Sequence, residues 1–354
     1  MAIEQAFGES APLSIGVEEE VMLLDGESLA PVPAVRQLLA DAEGLELPGR
    51  LKTELHASVV ELNTDVCGGV DEAVASIAAL RETAARLLAE RGLRLGAAGA
   101  HPFAEPEDLD VVDEERYAEF VGYAGVTARR QGVSGIHVHV GMPGADECYR
   151  TLETILPWLP LVLALSANSP YLAGRATGMA SNRAEILAQL PRSGAPPAFG
   201  SYDGWERWID RFLATGLAGD YTQFWWDVRP HPRFGTLEIR MPDQPTALDV
   251  GAALIKLLRD LAEWALAHPA AEPADRGVYQ QNRWAAGRFG PDAQLIHDGR
   301  LYSVPDLVEA LPVERPTLDP TTCEGAQQLA AGDPRSACAD IVRRTWPSGR
   351  RPSK

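Results

Sequence analysis

The 354-residue sequence predicts an α+β fold. Segments with alternating hydrophobicity are separated by helical stretches at irregular intervals, whereas a doubly wound sheet would alternate strands and helices regularly. We find no internal repeat, and hydrophobic residues make up 45% of the chain, which suffices for a sizeable core. Because no change in composition marks a domain boundary, we expect residues 1–348 to form one domain, followed by a disordered basic tail at residues 349–354.

Five segments are predicted to be strands, because apolar and polar residues alternate in them and Gly, Pro or polar residues bound them. They are residues 13–24, 52–63, 93–99, 135–141 and 236–241. A first long helix is predicted over residues 70–91, because acidic residues occupy its first turn and Gly92 follows its end. A second is predicted over residues 246–267, where apolar residues recur every three or four positions and indicate a packed face.

Composition and charge exclude several functional classes. The 50 acidic and 32 basic residues give a net charge of -18, whereas nucleic-acid binding needs a clustered basic surface. The N-terminus lacks a basic segment followed by an apolar one, so we predict no secretory signal and a cytoplasmic protein. The most apolar run, residues 156–167, has 12 residues and reads as a buried helix, whereas a membrane-spanning helix needs about 18. We therefore expect neither nucleic acid nor a membrane as a partner.

The first predicted strand places two carboxylates on one face. Its apolar residues alternate with Glu18 and Glu20, whereas Glu19 lies on the apolar face. Two like charges about 7 Å apart on a half-buried strand are unfavourable unless water or a cation lies between them. The sequence therefore leaves two interpretations open: a metal site, or an edge strand whose charges face water.

Two later strands also carry polar residues on a single face. His137 and His139 alternate with apolar residues in the fourth predicted strand, and Glu238 and Arg240 do so in the fifth. Histidines two residues apart on a strand suit the binding of metal or phosphate, although a purely structural role is the alternative. Glu238 and Arg240 could equally form an ion pair with each other or across strands.

Glu54 and Glu61 add two carboxylates, but a spacing of seven residues would put them on opposite faces of an unbroken strand. Both reach one site only if the strand bulges or breaks near residues 56–58. If it does, four segments each present Glu or His to one site. Carboxylates with one or two imidazoles suit Mg²⁺ or Mn²⁺ better than zinc, and nucleotide phosphates often accompany these ions.

Common nucleotide-binding and hydrolase signatures are absent from the sequence. There is no G-x-x-x-x-G-K-[ST], no strand followed by G-x-G-x-x-G, no H-E-x-x-H and no G-x-S-x-G. The four cysteines form no C-x-x-C pair, which argues against a disulfide framework and a zinc knuckle. A phosphate would then be held by metal and arginine. Residues 174–200, rich in Gly and Pro, offer Arg175, Arg183 and Arg192, for each of which a surface role is the alternative.

Six motifs in a fixed order connect the chain to a known family. They are G-V-E-E-E (16–20), E-L-H-A-S-V-V-E-L-N-T (54–64), S-G-I-H-V-H-V-G (134–141), G-R-A-T-G (174–178), L-P-R-S-G-A-P-P (190–197) and D-V-R-P with T-L-E-I-R (227–240). As a set they resemble the carboxylate-amine ligase family, the type 2 glutamate-cysteine ligase group, which is related in fold to glutamine synthetase and to the guanido kinases. The resemblance covers residues 13–265.

The resemblance implies a fold and a ligand set. The sheet would be antiparallel and curved into a funnel flanked by helices, with Mg²⁺ held between the sheet and the phosphates of ATP. The seven-residue spacing of the second motif recurs in the family. The implied metal ligands are Glu18, Glu20, Glu54, Glu61, His137 and Glu238.

Further roles follow from the same resemblance. Arg240, Arg183 and Arg192 would be catalytic residues that contact a phosphate or a substrate carboxylate. His139 would support a metal ligand from behind and, with Arg240 and Arg183, would help to hold the nucleotide.

The implied activity is that of an ATP-dependent ligase in a single catalytic domain. ATP would phosphorylate the γ-carboxylate of glutamate, and an amine such as cysteine would displace phosphate to form an amide. The partners would be these small molecules, and a homo-oligomer is expected on family grounds. No residue matches a cysteine-binding residue of the family, so the amine stays open. The alternatives are a guanido-kinase-like phosphotransferase and a non-catalytic nucleotide-binding protein of the same fold.

Overall fold

An antiparallel sheet forms the centre of the computed structural model, which describes residues 3–346. In chain order, the strands of the described residues are β1 (Ile15–Asp25), β2 (Gly49–Thr53), β3 (Val59–Thr64), β4 (Leu93–Gly96), β5 (Ile136–Gly141), β6 (Tyr171–Leu172), β7 (Arg175–Ala176), β8 (Val228–His231), β9 (Thr236–Ile239), β10 (Gln294–His297) and β11 (Arg300–Ser303). The central sheet has the order β2-β3-β1-β5-β9-β8, and β4 pairs with the last residues of β1. β6 with β7 and β10 with β11 form separate hairpins. The predicted tail at residues 349–354 lies outside the described part of the chain.

Helices pack against the apolar face of this sheet. The helices of residues 3–346 are α1 (Val35–Asp41), α2 (Val70–Ala89), α3 (Glu115–Ala124), α4 (Val126–Arg129), α5 (Ala145–Ile155), α6 (Leu159–Ser166), α7 (Asn182–Leu187), α8 (Tyr202–Thr215), α9 (Leu248–Ala267), α10 (Arg276–Phe289), α11 (Val304–Glu309), α12 (Glu324–Ala330) and α13 (Pro334–Thr345). Ile77 and Leu80 of α2 share one buried core with Val17 of β1 and with Leu254 and Leu258 of α9. Burial of this apolar face leaves the opposite face of the sheet for polar side chains.

The predicted fold class is confirmed. Strands occur in all five predicted segments, and the two long predicted helices begin and end within a few residues of α2 and α9. β8 was not predicted. It is a four-residue strand that contains Pro230 and lies at the edge of the sheet, where a missing N–H group is tolerated.

The predicted break in residues 52–63 is present, and it is larger than a bulge. β2 ends at Thr53, β3 begins at Val59, and the chain reverses direction between them, so that the two strands pair antiparallel. Lys52 lies opposite Glu61 in this hairpin. The reversal removes the objection to the seven-residue spacing, because Glu54 is no longer part of the strand that carries Glu61.

The most apolar segment is a buried helical region. Residues 156–158 form a 3₁₀ turn that continues into α6, and every residue of α6 is buried. Among residues 3–346, no helix combines the length and the hydrophobicity that crossing a bilayer requires.

Glu19 lies on the apolar face of β1, as alternation predicts, and it is buried in an ion pair. Arg81 of α2 donates from Nε to Oε2 (2.6 Å) and from Nη2 to Oε1 (2.8 Å) of Glu19. The same guanidinium also donates to the carbonyls of Pro245 and Thr246, just before α9. This pair therefore joins β1 to both helices that cover it.

Candidate active site

Strand pairing brings the polar residues of five strands together on one face of the sheet. β1 lies between β3 and β5, and β9 lies between β5 and β8. The facing pairs are Glu20 with Glu61, Glu18 with His137, His139 with Glu238, and Arg229 with Glu238. Because directly opposite side chains lie about 5 Å apart at Cβ, these residues form one continuous surface.

Two groups of three side chains on this surface could each hold a metal ion. Within each group, one ligand atom from every residue lies within 4.8 Å of the other two. The carboxylate group consists of Glu20, Glu54 and Glu61, and the histidine group consists of Glu18, His139 and Glu238. Glu54 reaches its group because the turn after β2 places it beside the end of the hairpin.

The two histidines of β5 occupy different places on this surface. His137 lies between the two groups, with Nδ1 3.1 Å from Glu18 Oε2 and Nε2 3.7 Å from Glu20 Oε1. His139 is hydrogen-bonded through Nδ1 to Thr236 Oγ1 (2.9 Å), and its Nε2 lies 3.7 Å from Glu18 Oε1. This Nε2 is buried and has no hydrogen-bond partner among the described residues. A metal ion in the histidine group would satisfy it.

The charges of the carboxylate group oppose one another. Burial, and then the charge of Glu20, raise the pKa of Glu54 to about 7. Burial and the neighbouring carboxylates of Glu18 and Glu54 raise the pKa of Glu61 well above its ordinary value, and the ammonium of Lys52 offsets only part of this effect. Three carboxylates held so closely are unfavourable at neutral pH unless a cation lies among them, so the donor set fits a hard divalent ion.

Glu54→Gln is expected to stabilise the metal-free protein at pH 8. The ordinary carboxyl pKa is 4.5 and the folded value is about 7, so ionisation of Glu54 costs stability progressively as the pH rises through this window. Above it the parent carries the full cost, on the order of 1–3 kcal/mol, and the variant carries none. Thermal melts in EDTA at pH 6 and pH 8 test this. The variant should gain more over the parent at pH 8, and an equal gain at both pH values would contradict the raised pKa.

Glu238 in the histidine group is held by two arginines. Arg229 of β8 donates from Nε to Oε2 and from Nη2 to Oε1 of Glu238, and Arg240 donates from Nη1 to Oε1. Burial alone would raise the pKa of Glu238, but these two guanidinium groups hold it well below the ordinary value. Glu238 and Arg240 therefore form an ion pair with each other, which the sequence had left open as one interpretation.

Arg229 is a site residue that sequence reasoning missed. It belongs to the D-V-R-P motif, but its contact with Glu238 depends on the β8–β9 hairpin, and β8 was not predicted. Its Nη1 also donates to the carbonyls of Thr222 and Phe224, so all of its bonds are to the protein itself. Arg229 therefore positions Glu238, and these contacts use four of its five N–H donors.

Arg183 and Arg192 lie in different surroundings. Arg183 is buried at the edge of the site, where Nη1 donates to the carbonyl of Met241 (2.9 Å) and Nη2 to that of Arg240 (3.0 Å). Arg192 is half-buried beside aromatic rings: its guanidinium lies 5.1 Å from the ring centre of Phe224, and Nη1 donates to Tyr123 Oη. Arg192 does not line the cavity over the metal groups. Its contact with phosphate stays a prediction.

Two cavities adjoin at Glu18 and His139 of the histidine group. A cavity of about 500 Å³ is lined by both metal groups, by Arg240 and by aromatic residues that include Phe120 and Trp225. A second cavity of about 370 Å³ contains Arg50 and shares some lining residues with the first. The shared residues are Glu18, Lys52, His139, Arg233 and Phe234. Together they offer enough room for more than one substrate beside the metal groups.

Comparison with known proteins identifies the family. The sequence model of glutamate–cysteine ligase family 2 matches residues 14–342. The chain belongs to this family. The resemblance of the six motifs is thereby confirmed, and membership of family 2 assigns the chain to the ligases.

Relatives in family 2 are similar along most of their length. A protein of Rubrobacter xylanophilus with the provisional name glutamate–cysteine ligase 2-3 is 41% identical over 294 residues, which cover 83% of this chain and 80% of the relative. A provisionally named glutamate–cysteine ligase 2 of Herpetosiphon aurantiacus is 37% identical over 297 residues, with 82% and 76% covered.

Solved structures share the fold at low sequence identity. The glutamate–cysteine ligase of Francisella tularensis, solved in complex with AMP, is 13% identical with a TM-score of 0.69, and the match covers 95% of this chain and 89% of that one. A bifunctional glutathione synthetase from Pasteurella multocida is 17% identical with a TM-score of 0.65 over 94% of this chain. This chain spans about half of that protein, 51% of its length. The likeness of both structures shows a common fold.

Proposed function

We propose that this protein is an ATP-dependent carboxylate–amine ligase that joins the γ-carboxylate of glutamate to an amine such as cysteine. The observation that carries the proposal is the pair of candidate metal groups in one cavity that adjoins a second, in a chain of glutamate–cysteine ligase family 2. The cytoplasmic location predicted from the N-terminal sequence and the homo-oligomer implied by the resemblance both stay predictions.

The proposed metal ligands form two sets. Glu20, Glu54 and Glu61 would hold one divalent ion, and Glu18, His139 and Glu238 a second, with His137 between the two groups as a further ligand. When bound, Mg²⁺ or Mn²⁺ neutralises charge on the phosphoryl group and lowers the barrier to its transfer. Oxygen-rich donor sets favour these ions, and the unpartnered Nε2 of His139 supports the second group as a site.

The proposed reaction has two steps. A γ-carboxylate oxygen of glutamate attacks the terminal phosphorus of ATP, the bond to the bridging oxygen breaks, and ADP leaves. The amine nitrogen then attacks the acyl carbon of the resulting acyl phosphate, inorganic phosphate leaves, and the nitrogen loses a proton as the amide forms. Neither step needs a protein nucleophile. The four cysteines of the chain are all buried, which agrees with a mechanism that uses no thiol.

In this proposal Arg240 binds a phosphate, whereas Arg229 and Arg183 position other residues of the site. Arg240 faces the large cavity, so its guanidinium can turn from Glu238 to a phosphate oxygen. Arg229 keeps hold of Glu238 when that happens, because its own contacts do not involve Arg240. Arg183 fixes the backbone of Arg240 and Met241 and so sets the direction from which Arg240 approaches.

Trapping with hydroxylamine tests the proposed function. Protein, MgATP, glutamate and hydroxylamine should yield ADP and γ-glutamyl hydroxamate in equal amounts, because a strong small nucleophile intercepts an acyl phosphate. Omission of glutamate should abolish both products. A panel of amines, scored by ADP release and by mass detection of the amide, would then identify the acceptor.

Two other outcomes would contradict the ligase proposal. Tight nucleotide binding without ADP formation for any carboxylate would favour a nucleotide-binding protein without catalytic activity. Formation of ADP and a phosphorylated guanidine, with no amide, would favour a guanido-kinase-like phosphotransferase.

Arg240→Lys is expected to lower kcat/KM about 10- to 100-fold without unfolding the protein. Lysine keeps the charge but loses the planar fork, and a charged hydrogen bond contributes about 1.5–3 kcal/mol. The fold should tolerate the change, because Arg229 still holds Glu238. Arg229→Lys is the matched control: it should lower the melting temperature, since four hydrogen bonds to the protein depend on its fork. Unchanged kinetics for Arg240→Lys would show that this guanidinium serves only its ion pair.

A further inference from the structure

Lysine is rare in this chain, and one lysine lies at the candidate site. Of the 32 basic residues, only Lys52, Lys256 and Lys354 are lysines, and all the others are arginines. An ammonium group differs from a guanidinium: it is a compact charge on a flexible stem, with donors that rotate to follow an anion. The position of Lys52 is therefore informative.

Lys52 lies where the two cavities meet. It lies opposite Glu61 in the β2–β3 hairpin, and its Nζ is 3.5 Å from Glu61 Oε1. Its side chain is 43% exposed, so the ammonium can leave this ion pair without unpacking the core. It lines both the 500 Å³ and the 370 Å³ cavity, whereas Arg50, two residues earlier on the same strand, lines only the smaller one.

The partner of Lys52 belongs to the carboxylate group. At 3.5 Å, the ion pair with Glu61 is long, and its lysine partner is 43% exposed, so water weakens the attraction. A divalent ion bound by Glu20, Glu54 and Glu61 would compete with the ammonium for the same carboxylate oxygens. Lys52 would then be a free cation beside a neutralised group, where the two cavities adjoin.

We propose that Lys52 binds the phosphate chain of the nucleotide. The inference rests on the proposed function, because that function makes ATP the nucleotide. Lys52 lines the smaller cavity and also the larger one, which contains the carboxylate group. A phosphate that lies between the two cavities therefore meets its ammonium group. Rotation of the three N–H donors lets one residue follow the terminal phosphoryl group while it moves toward the acceptor carboxylate. Lys52 is thus a binding residue for the nucleotide and takes no part in bond making.

The scarcity of lysine permits a direct test on the parent protein. A water-soluble amine-reactive reagent labels lysines, and peptide mass spectrometry reports each site separately. With Mg²⁺ and ATP, and no glutamate, labelling of Lys52 should slow at least fivefold. Lys256 is the internal control, because it lies on α9 in exposed ion pairs with Asp260 and Glu314 and should label at the same rate throughout. Protection of Lys52 by glutamate and Mg²⁺, but not by MgATP, would overturn the proposal.

Two variants test the same contact by binding. Lys52→Gln should weaken MgATP binding 10- to 100-fold and leave adenosine binding unchanged, because adenosine has no phosphate. Lys52→Arg should recover most of the affinity, and Lys256→Gln is the matched control that should bind MgATP like the parent. Equal MgATP affinity of Lys52→Gln and the parent would contradict a phosphate contact. If Lys52→Gln fails to fold, the labelling of the parent protein still tests whether Lys52 contacts the phosphates.

These results separate the inference from the proposed function. Protection of Lys52 by MgATP in a protein that forms no hydroxamate would support the contact between Lys52 and phosphate but contradict the proposed ligase activity. Hydroxamate formation without protection of Lys52 by MgATP would support the ligase activity but contradict the contact between Lys52 and phosphate.

Discussion

Glu20→Gln is expected to lower the rate of amide formation by about 100-fold or more. The substitution keeps the shape of the side chain but removes one of the three negative ligands of the carboxylate group. Such a loss weakens the binding of a hard divalent ion far more than it disturbs the fold. Glu20 also accepts a hydrogen bond from the N–H of Gly135, and the glutamine amide oxygen can accept the same bond. The fold should therefore be retained.

Metal titration measures this effect. Rates recorded against Mg²⁺ and Mn²⁺ concentration should show that Glu20→Gln needs more metal than the parent. Melts in EDTA should give the variant an equal or higher melting temperature, because one of three mutually repelling carboxylates has lost its charge. A variant with the parent's rate and metal requirement would show that Glu20 is not a metal ligand.

Glu19→Gln is expected to destabilise the protein by about 3–5 kcal/mol, although it is the immediate neighbour of Glu20. Its carboxylate is 1% exposed and accepts two bonds from Arg81, whose side chain is fully buried. The substitution leaves the guanidinium with an uncompensated buried charge beside β1. The metal requirement of the molecules that stay folded should match that of the parent, because Glu19 faces away from the metal groups.

A double-mutant cycle separates the ion pair from general disruption. Glu19→Leu, Arg81→Met and the combined Glu19→Leu/Arg81→Met variants are compared by denaturant unfolding in EDTA. Each single change should cost more than the combined change, because only the single changes leave a buried charge without its partner. A combined variant that loses the sum of the single losses would argue against a specific pair. A shift of metal requirement in Glu19→Gln alone would contradict the strand register.

Glu19 and Glu20 show what local sequence could predict. Alternation along β1 assigned Glu18 and Glu20 to one face and Glu19 to the other, and the structure has this arrangement. The same rule put His137 and His139 of β5 on the polar face. It works because successive side chains of a strand point to opposite sides, whatever the strand pairs with, and because α2 and α9 bury the apolar face of this sheet.

The sequence alone therefore determined the α+β class, the polar face of each main strand and, through six ordered motifs, the ligase family. It did not determine which polar side chains become neighbours. The reversal between β2 and β3 places Glu54 beside Glu61, and the unpredicted strand β8 brings Arg229 to Glu238. The position of His139 with Glu238 likewise depends on which strands pair and in which register. Such contacts are set by chain reversal and cross-strand pairing between residues far apart in sequence, and no local period of hydrophobicity encodes them.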